Sequence, residues 1–185
     1  WLVDPLDGTK EFVKRNGEFS VNIALTYKHR SVLGVIYIPV RDEIYYASKG
    51  KGAYFIESYS THQDISKSVR IHVSSKTEDL SLLHSRSHRY PVTDRLVEKN
   101  TEKIAEIIHA GSSLKGCLIA KGEADIYYRF GRTMEWDTAA MQCIIEEAGG
   151  ILRQMDDTEM SYNREDSTNY KGFYILNRIE NKLIL

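Results

Sequence analysis

The chain changes its hydrophobic pattern near residue 60, and this change limits the folds that it can adopt. Before it, three segments rich in Tyr, Ile and Val lie at 18–27, 31–40 and 42–55. Alternating, turn-bounded runs of this kind predict β-strands, and short connections between them predict an antiparallel meander. A polar stretch, 58–67, then predicts a connection between two subdomains, residues 1–60 and 61–185.

After this stretch, predicted strands and helices alternate along the chain. Such alternation predicts a mixed α/β fold built in layers, with helices packed against a sheet. Strands are predicted at 81–88 (running into a loop), 103–110, 124–130 and 172–177, helices at 91–99, 111–122 and 135–148, and a polar loop at 156–171.

The helix predicted at 135–148 has the clearest pattern in the chain. Its apolar residues recur at helical spacing, and two glycines follow it, which favours a helix end. We expect the Trp136 ring to anchor its first turn in the core. The residues of its predicted buried face are Trp136, Ala139, Ala140, Cys143 and Ile144.

The composition excludes several classes of partner. The 185 residues are 42 % hydrophobic, enough for a substantial core, and Lys+Arg 25 against Asp+Glu 26 gives a net charge of −1. This balance argues against binding to nucleic acid polymers or to anionic membranes. No apolar run approaches the ~18 residues of a membrane span.

The two cysteines, Cys117 and Cys143, lie in apolar helical patterns and are predicted to be buried thiols. The pair His84 and His88 has the spacing of zinc ligands on a helix, but its surroundings do not predict a helix. A zinc site is therefore not favoured.

The chain opens with "WLVDPLDGTKEF", which places two carboxylates, Asp4 and Asp7, on either side of a proline. Pro5 restricts the backbone before it and Gly8 permits a tight turn after it, so both carboxylates can point to one spot. Like charges this close are tolerated when a cation lies between them, and oxygen ligands suit Mg²⁺. The alternative is an ordinary turn whose carboxylates face water.

Asp137, in the first turn of the helix at 135–148, supplies a third candidate ligand from a distant part of the chain. A carboxylate at this position is also favoured by the helix dipole, so Asp137 taken alone is better explained as a helix-start residue than as a ligand.

These residues resemble two motifs of the inositol monophosphatase-like family of magnesium-dependent, lithium-sensitive phosphatases. "DPLDGT" at 4–9 is similar to the first metal motif, and "WDTAA…EEAGG" at 136–150 is similar to the second. The continuation "KEF" at 10–12 resembles the 3′(2′),5′-bisphosphate nucleotidase branch in its bacterial form. The likeness extends to "RNGEFSVNIAL", "SRSH", "GSSLK" and "YYRFG".

The resemblance implies a layered αβαβα fold with two subdomains, the first of them incomplete. It implies a cytoplasmic enzyme of sulfur metabolism, with peripheral contact at the inner face of the membrane as a further option. Two or three Mg²⁺ ions would be held by the carboxylates of Asp4, Asp7 and Asp137 and by the carbonyl of Leu6. A metal-activated water would attack in line, with no phosphoenzyme.

The resemblance also implies which residues contact the substrate, 3′-phosphoadenosine 5′-phosphate, which would be converted to AMP and phosphate. Thr9 and Asp4 would be catalytic, with Gly8 and Thr9 at the scissile phosphate and the Thr9 hydroxyl orienting water. Ser112 is otherwise an ordinary helix cap, and Lys115 a solvated charge. The full set of implied substrate contacts is Leu6, Asp7, Gly8, Thr9, Ser85, His88, Gly111, Ser112, Lys115, Arg129 and Asp137.

Two alternative functions remain open at this point: an inositol or sugar phosphate phosphatase, and a non-catalytic nucleotide- or metal-binding module. Family members carry a metal-binding Glu and an acidic partner of the motif threonine ahead of the first motif, whereas this sequence begins at Trp1. We therefore expect the 185-residue chain alone to be weakly active or inactive, and poorly soluble because apolar surface would be exposed.

Overall fold

The computed structural model describes residues 1–87 and 90–185. The first part of the chain forms a six-stranded antiparallel sheet whose strands follow in chain order, which confirms the predicted meander. Alternate residues of β3 face the core, where Ile36 and Ile38 are fully buried. The strands are β1 (Leu2–Asp7), β2 (Ser20–Tyr27), β3 (Arg30–Ile38), β4 (Glu43–Ser48), β5 (Gly52–Glu57) and β6 (Val69–Ile71).

Two predictions for this sheet were wrong in detail. The segment 42–55, predicted as one strand, is a hairpin of β4 and β5 that turns at Gly50, whose positive φ of 74° suits glycine. The opening bend is itself a strand, β1, paired antiparallel with β2. The predicted division between residues 60 and 61 stays a prediction, and β6 belongs to the first sheet.

The second sheet has five strands and mixed direction. Strand β7 (Leu80–Ser85) lies between β8 (Ile104–Ala110) and β9 (Ile126–Arg129) and is parallel to both. Next come β13 (Phe173–Leu176) and β11 (Ile151–Gln154), both antiparallel to their neighbours. A separate two-stranded ribbon pairs β10 (Thr133–Met134) with β12 (Thr168–Asn169). Only β12 lies within 156–171, the segment predicted as a polar loop.

Helices occupy the space between and outside the sheets. The helix predicted at 91–99 is confirmed at both ends. The helix predicted at 111–122 is shorter, since it begins at Leu114 and ends at Ala120. The helices are α1 (Thr9–Val13), α2 (Tyr59–His62), α3 (Pro91–Lys99), α4 (Leu114–Ala120) and α5 (Glu135–Glu147), with short 3₁₀ turns at Ile65–Lys67 and Ile179–Asn181.

Helix α5 is the central element because it packs against both sheets. It contacts β2, β3, β4 and β5 on one side and α4 and β11 on the other. Gly34 of β3 makes this approach possible, since a Cβ there would lie 2.3 Å from the Ala140 carbonyl oxygen. The helix is therefore buried on more than the predicted face, and Thr138, Met141 and Ile145 are also buried. The prediction that Trp136 anchors the core was wrong, because its side chain is only partly buried.

The two faces of the second sheet belong to different cores. Leu83 of β7 joins the large core shared with α4, α5 and the first sheet, whereas Leu82 joins a smaller core with Leu96 of α3. The layers therefore run sheet, helices, sheet, helix, which are four successive layers of the predicted αβαβα arrangement. Both cysteines are buried and free, as predicted. Within the described residues, every helix is too short or too polar to cross a bilayer.

Candidate metal centre and substrate cleft

A bulge in β1 brings Asp4 and Asp7 to the same face of the first sheet. Asp4 pairs with Asn22 and Asp7 with Ser20, so three steps along β1 match two steps along β2. Residues two apart on a strand share a face, and one extra residue in β1 therefore directs both carboxylates the same way. The Leu6 N–H donates to Asp4 Oδ1 at 3.0 Å and holds this turn.

Asp137 reaches the same place from the first turn of α5. Its Oδ2 accepts the Met134 N–H at 2.7 Å, which is a helix-capping bond. Ligand atoms of Asp4, Asp7 and Asp137 all lie within 4.8 Å of one another. Among the described residues, this is the one group of three or more acidic, His or Cys side chains that close together.

Two carboxylates of this cluster, Asp137 and Asp4, have a raised pKa, and burial is the main cause for both. Burial is the main reason that the pKa of Asp137 is raised to about 7, and the charges of Asp7 and Asp4 add to it. Burial also raises the pKa of Asp4, with a further contribution from Asp7. Crowded carboxylates with raised pKa values are typical of a site that binds a cation. Three oxygen donors at this spacing fit Mg²⁺.

The Asp7 carboxylate is held by five donors, all directed to Oδ2. The Ser113 N–H and hydroxyl each donate at 2.8 Å, and the Ser112 hydroxyl donates at 2.6 Å. The Ser20 hydroxyl at 3.2 Å and the Asn22 amide at 3.3 Å complete the set. These bonds fix the orientation of Asp7 before any ligand arrives.

Ser20, Asn22 and Ser113 had not been predicted as site residues. A pattern exists for two of them, since Ser20 and Asn22 are polar residues at alternate positions of β2 and both are buried. Ser113 has no comparable signal, because only the fold brings it to Asp7.

A cleft of about 280 Å³ extends from the aspartates toward the ends of β7 and β9. Gly8, at its edge, has a φ of 85°, and a Cβ there would lie 3.0 Å from Ser112 Cβ. Thr9 is exposed at the start of α1. Asp4, Leu6 and Gly111 do not line the cleft. The predicted site residues that do are Asp7, Gly8, Thr9, Ser85, Ser112, Lys115, Arg129 and Asp137.

Lys115 is buried, at 6 % exposure, so the alternative of a solvated surface charge is wrong. Its Nζ donates to the carbonyl of Ser112 at 2.7 Å and lies 5.2 Å from the centre of the Tyr127 ring. Burial is the main cause that lowers its pKa to about 8, and the nearby Arg129 charge lowers it further.

Arg129 lies at the end of β9 beside Lys115. Its guanidinium is 5.6 Å from the centre of the Tyr90 ring, and its buried Nε has no hydrogen-bond partner among the described residues. Two neighbouring cations, one of them with an orphaned donor, make this end of the cleft suited to an anion.

Two N–H groups of the loop 111–113, which contains the implied substrate contacts Gly111 and Ser112, donate to protein carboxylates. The Gly111 N–H donates to Glu18 Oε2 at 2.9 Å, and the Ser113 N–H donates to Asp7. The Ser112 hydroxyl is likewise bonded to Asp7 rather than being a helix cap.

Ser85, at the end of β7, lines the cleft. His88, predicted to contact substrate, lies outside the described residues. His84, which has zinc-ligand spacing from His88 in the sequence, is buried, and its ring packs edge-on against His109.

Comparison with known proteins shows to which family the chain belongs. The model of the inositol monophosphatase family matches residues 1–179. Two proteins named 3′(2′),5′-bisphosphate nucleotidase CysQ are similar: that of Salmonella typhimurium is 41 % identical over 177 residues, and that of Buchnera aphidicola is 42 % identical over 176. The alignments cover 95 % and 94 % of this chain, and 67 % and 63 % of the relatives. The chain thus spans about two thirds of their length.

Solved structures show the same fold. The crystal structure of CysQ from Bacteroides thetaiotaomicron, a bacterial member of the inositol monophosphatase family, matches with a TM-score of 0.86 and 43 % identity, over 95 % of this chain and 69 % of that one. An inositol monophosphatase from Zymomonas mobilis matches with a TM-score of 0.77 and 25 % identity, over 97 % and 65 %. With these matches and its three clustered aspartates, this chain belongs to the inositol monophosphatase family.

Proposed function

We propose that the protein is a Mg²⁺-dependent phosphomonoesterase that removes the 3′-phosphate of 3′-phosphoadenosine 5′-phosphate and leaves AMP. The observation that carries the proposal is a cleft lined both by Asp7 and Asp137, which cluster with Asp4, and by the cations Lys115 and Arg129 at the ends of α4 and β9. A substrate with two phosphates fits both ends, because one phosphate can share a metal with the carboxylates while the other meets Lys115 and Arg129. The names of the similar nucleotidases support this substrate class.

At the metal end, Asp4, Asp7 and Asp137 would hold the metal with their carboxylates, and Leu6 would add its carbonyl. When bound, Mg²⁺ neutralises the scissile phosphate and lowers the pKa of the attacking water. Gly8 and Thr9 would place the scissile phosphate through their N–H groups, and the exposed Thr9 hydroxyl would orient the water. None of the three aspartates acts as a nucleophile, so no phosphoenzyme forms.

At the cation end, Lys115 and Arg129 would bind the 5′-phosphate, with Ser85 beside them. The orphaned Arg129 Nε gains a partner when a phosphate oxygen arrives. Ser112, whose hydroxyl is bonded to Asp7, supports the metal end as well as lining the cleft. Gly111 lies behind the cleft wall and would act through its neighbours.

Phosphate release from three substrates tests the proposal in the complete gene product. We expect turnover of 3′-phosphoadenosine 5′-phosphate with Mg²⁺, a higher KM for adenosine 3′-monophosphate, and little turnover of inositol 1-phosphate. Preferred hydrolysis of inositol 1-phosphate would favour the inositol phosphatase alternative. Nucleotide binding without turnover would favour the non-catalytic module.

A matched pair of variants ties the result to the cleft. Arg129→Met removes the guanidinium whose Nε has no partner among the described residues, and we expect a higher KM for the bisphosphate. Arg178→Met removes an exposed arginine outside the cleft and should leave the kinetics unchanged. Equal effects of the two substitutions would contradict the assignment of the cation end.

Finer parts of the proposal come from the family resemblance. They are two or three bound Mg²⁺ ions, inhibition by Li⁺, a role in sulfur metabolism and a cytoplasmic location, with peripheral membrane contact as an option. Metal titration by calorimetry, turnover with added LiCl and cell fractionation test the ion number, the inhibition and the location. The expected weak activity of the 185-residue chain alone stays a prediction, and full turnover by that chain would contradict it.

A further inference from the structure

Two buried carboxylates outside the metal cluster connect the first part of the chain to the loops after β7 and β8. They are Glu11 of α1, 4 % exposed, and Glu18 just before β2, 9 % exposed. Neither has a role in the proposed metal site. A buried carboxylate is costly unless donors satisfy it, so the partners of each show what it holds in place.

Glu18 joins the ends of two neighbouring strands of the second sheet. Arg86, just after β7, donates to it through Nε and one terminal nitrogen, each at 2.8 Å, in a forked pair. The Gly111 N–H, just after β8, donates to the same carboxylate at 2.9 Å. Arg86 also donates to the His109 carbonyl at 2.6 Å. One side chain of the first part thus fixes both loops.

Glu11 makes a second connection and lines the cleft. The Ser87 hydroxyl donates to its Oε1 at 2.5 Å. Its side chain packs on Gly111, where a Cβ would lie 2.5 Å from Glu11 Cγ. The absence of a side chain at Gly111 is therefore what lets the Glu11 carboxylate pass between the two loops.

We propose that Glu11, Glu18, Arg86, Ser87 and Gly111 form an interloop clamp that sets the distance between the metal end and the cation end of the cleft. The clamp residues adjoin cleft residues in sequence, since Ser85 precedes Arg86 and Ser112 follows Gly111. They are positioning residues that select substrates whose second phosphate lies at the correct distance from the first. This inference rests on the proposed function.

A purely structural role for the Glu18–Arg86 pair predicts a different outcome. The Arg86 side chain is 43 % exposed, and Glu18, at 12 %, keeps the Gly111 N–H as a donor when the arginine is removed. Removal of the pair should therefore change substrate selection more than it changes folding. The control is the ion pair of Arg153 and Glu146, at 2.9 Å with side chains 28 % and 40 % exposed, which does not line the cleft.

The test compares Glu18→Gln, Arg86→Lys and Arg86→Met with Arg153→Met. For 3′-phosphoadenosine 5′-phosphate we expect KM to rise about tenfold in Glu18→Gln and Arg86→Met, with kcat changed less than about twofold. KM for adenosine 3′-monophosphate should stay unchanged. Arg86→Lys keeps the charge without the fork and should be intermediate, and Arg153→Met should behave as wild type. The double variant Glu18→Gln/Arg86→Met should raise KM no further than either single variant, because both substitutions remove the same contact.

Calorimetric binding of AMP, which carries only the 5′-phosphate, gives a readout that does not need turnover. We expect about tenfold weaker binding in the clamp variants. The clamp would be overturned if KM rose equally for 3′-phosphoadenosine 5′-phosphate and adenosine 3′-monophosphate, or if the KM ratios and the AMP affinities stayed unchanged. In either case, wild-type turnover would still uphold the proposed function. A wild-type protein that binds AMP without turnover would overturn the function, and the AMP series would still decide the clamp. A wild-type protein that neither binds AMP nor turns over the bisphosphate would overturn both.

Discussion

The two ends of the cleft are built by opposite means. At the metal end, Asp4, Asp7 and Asp137 crowd negative charge together, and N–H and O–H donors fix them. At the cation end, Lys115 is held by carbonyl oxygens and an aromatic face, and Arg129 keeps a buried donor without a partner among the described residues. Each end carries an excess of one sign that a ligand of the other sign would relieve.

The difference between the two ends predicts how substitutions at each end affect turnover and substrate affinity. The metal end is ordered in advance, so its ligands should act in an all-or-none manner on turnover. The cation end is less completely bonded, so substitutions there should change affinity in steps. Changes at the two ends should therefore separate into effects on kcat and effects on KM.

The largest expected effect is that of Asp137→Asn at the metal end. Loss of one carboxylate ligand removes several kcal/mol of transition-state stabilisation, so we expect kcat/KM to fall about 10³-fold or more. The metal-free protein should unfold at a higher temperature, because repulsion within the cluster is relieved. Asp94→Asn, on the exposed side of α3, is the control and should change neither. Near-normal turnover by Asp137→Asn would show that the cluster is not the metal centre.

The next effect is that of Lys115→Met at the cation end. A charge-assisted bond to phosphate is lost, and we expect KM for the bisphosphate to rise about 10- to 100-fold with kcat little changed. Because the pKa of Lys115 is about 8, affinity should also weaken as pH rises through 8 and the amine loses its charge. Lys115→Arg should remove this pH dependence. Lys121→Met, at the end of the same helix but outside the cleft, is the control.

A pH titration of Mg²⁺ binding tests the metal end without any substitution. The pKa of Asp137 is about 7 and the metal needs the carboxylate form, so Mg²⁺ affinity should fall about tenfold per pH unit below 7. The folded pKa lies above the ordinary 3.8, so this group stabilises the metal-free fold below about pH 4 and the effect is lost as pH rises through 7. Mg²⁺ should therefore raise Tm more at pH 8 than at pH 6. An equal rise at both would contradict the assignment.

The sequence predicted the metal end better than the interloop clamp, for physical reasons. Asp4, Asp7 and Asp137 lie in turn and helix-start patterns that carry their own local signals. The bonds of Glu18 to Arg86 and Gly111 join residues far apart in the chain, and no local pattern predicts them. Only the meeting of the two sheets reveals such contacts.

The fold shows the same division between local and non-local information. The helix from Pro91 to Lys99 and the strands of the meander follow from periodicity and turn residues. The bulge in β1 does not, because it is defined by pairing with β2. Likewise, α5 was predicted with one apolar face, and its burial on further faces depends on its position between two sheets.

The smallest expected effect tests how far the metal end is ordered in advance. Ser20→Ala removes one of five donors to Asp7 Oδ2, at 3.2 Å, and four donors remain. A net hydrogen bond of this kind contributes about 0.5–1.5 kcal/mol, so Mg²⁺ affinity should fall about threefold and AMP affinity should not change. Ser31→Ala, which removes a hydroxyl that donates to the Ala139 carbonyl from β3, is the control for a lost bond in the same sheet. A loss of metal binding as large as that in Asp137→Asn would mean that the donors act as a single cooperative unit. The contrast between a pre-ordered metal end and a stepwise cation end would then lie in cooperativity rather than in the number of bonds.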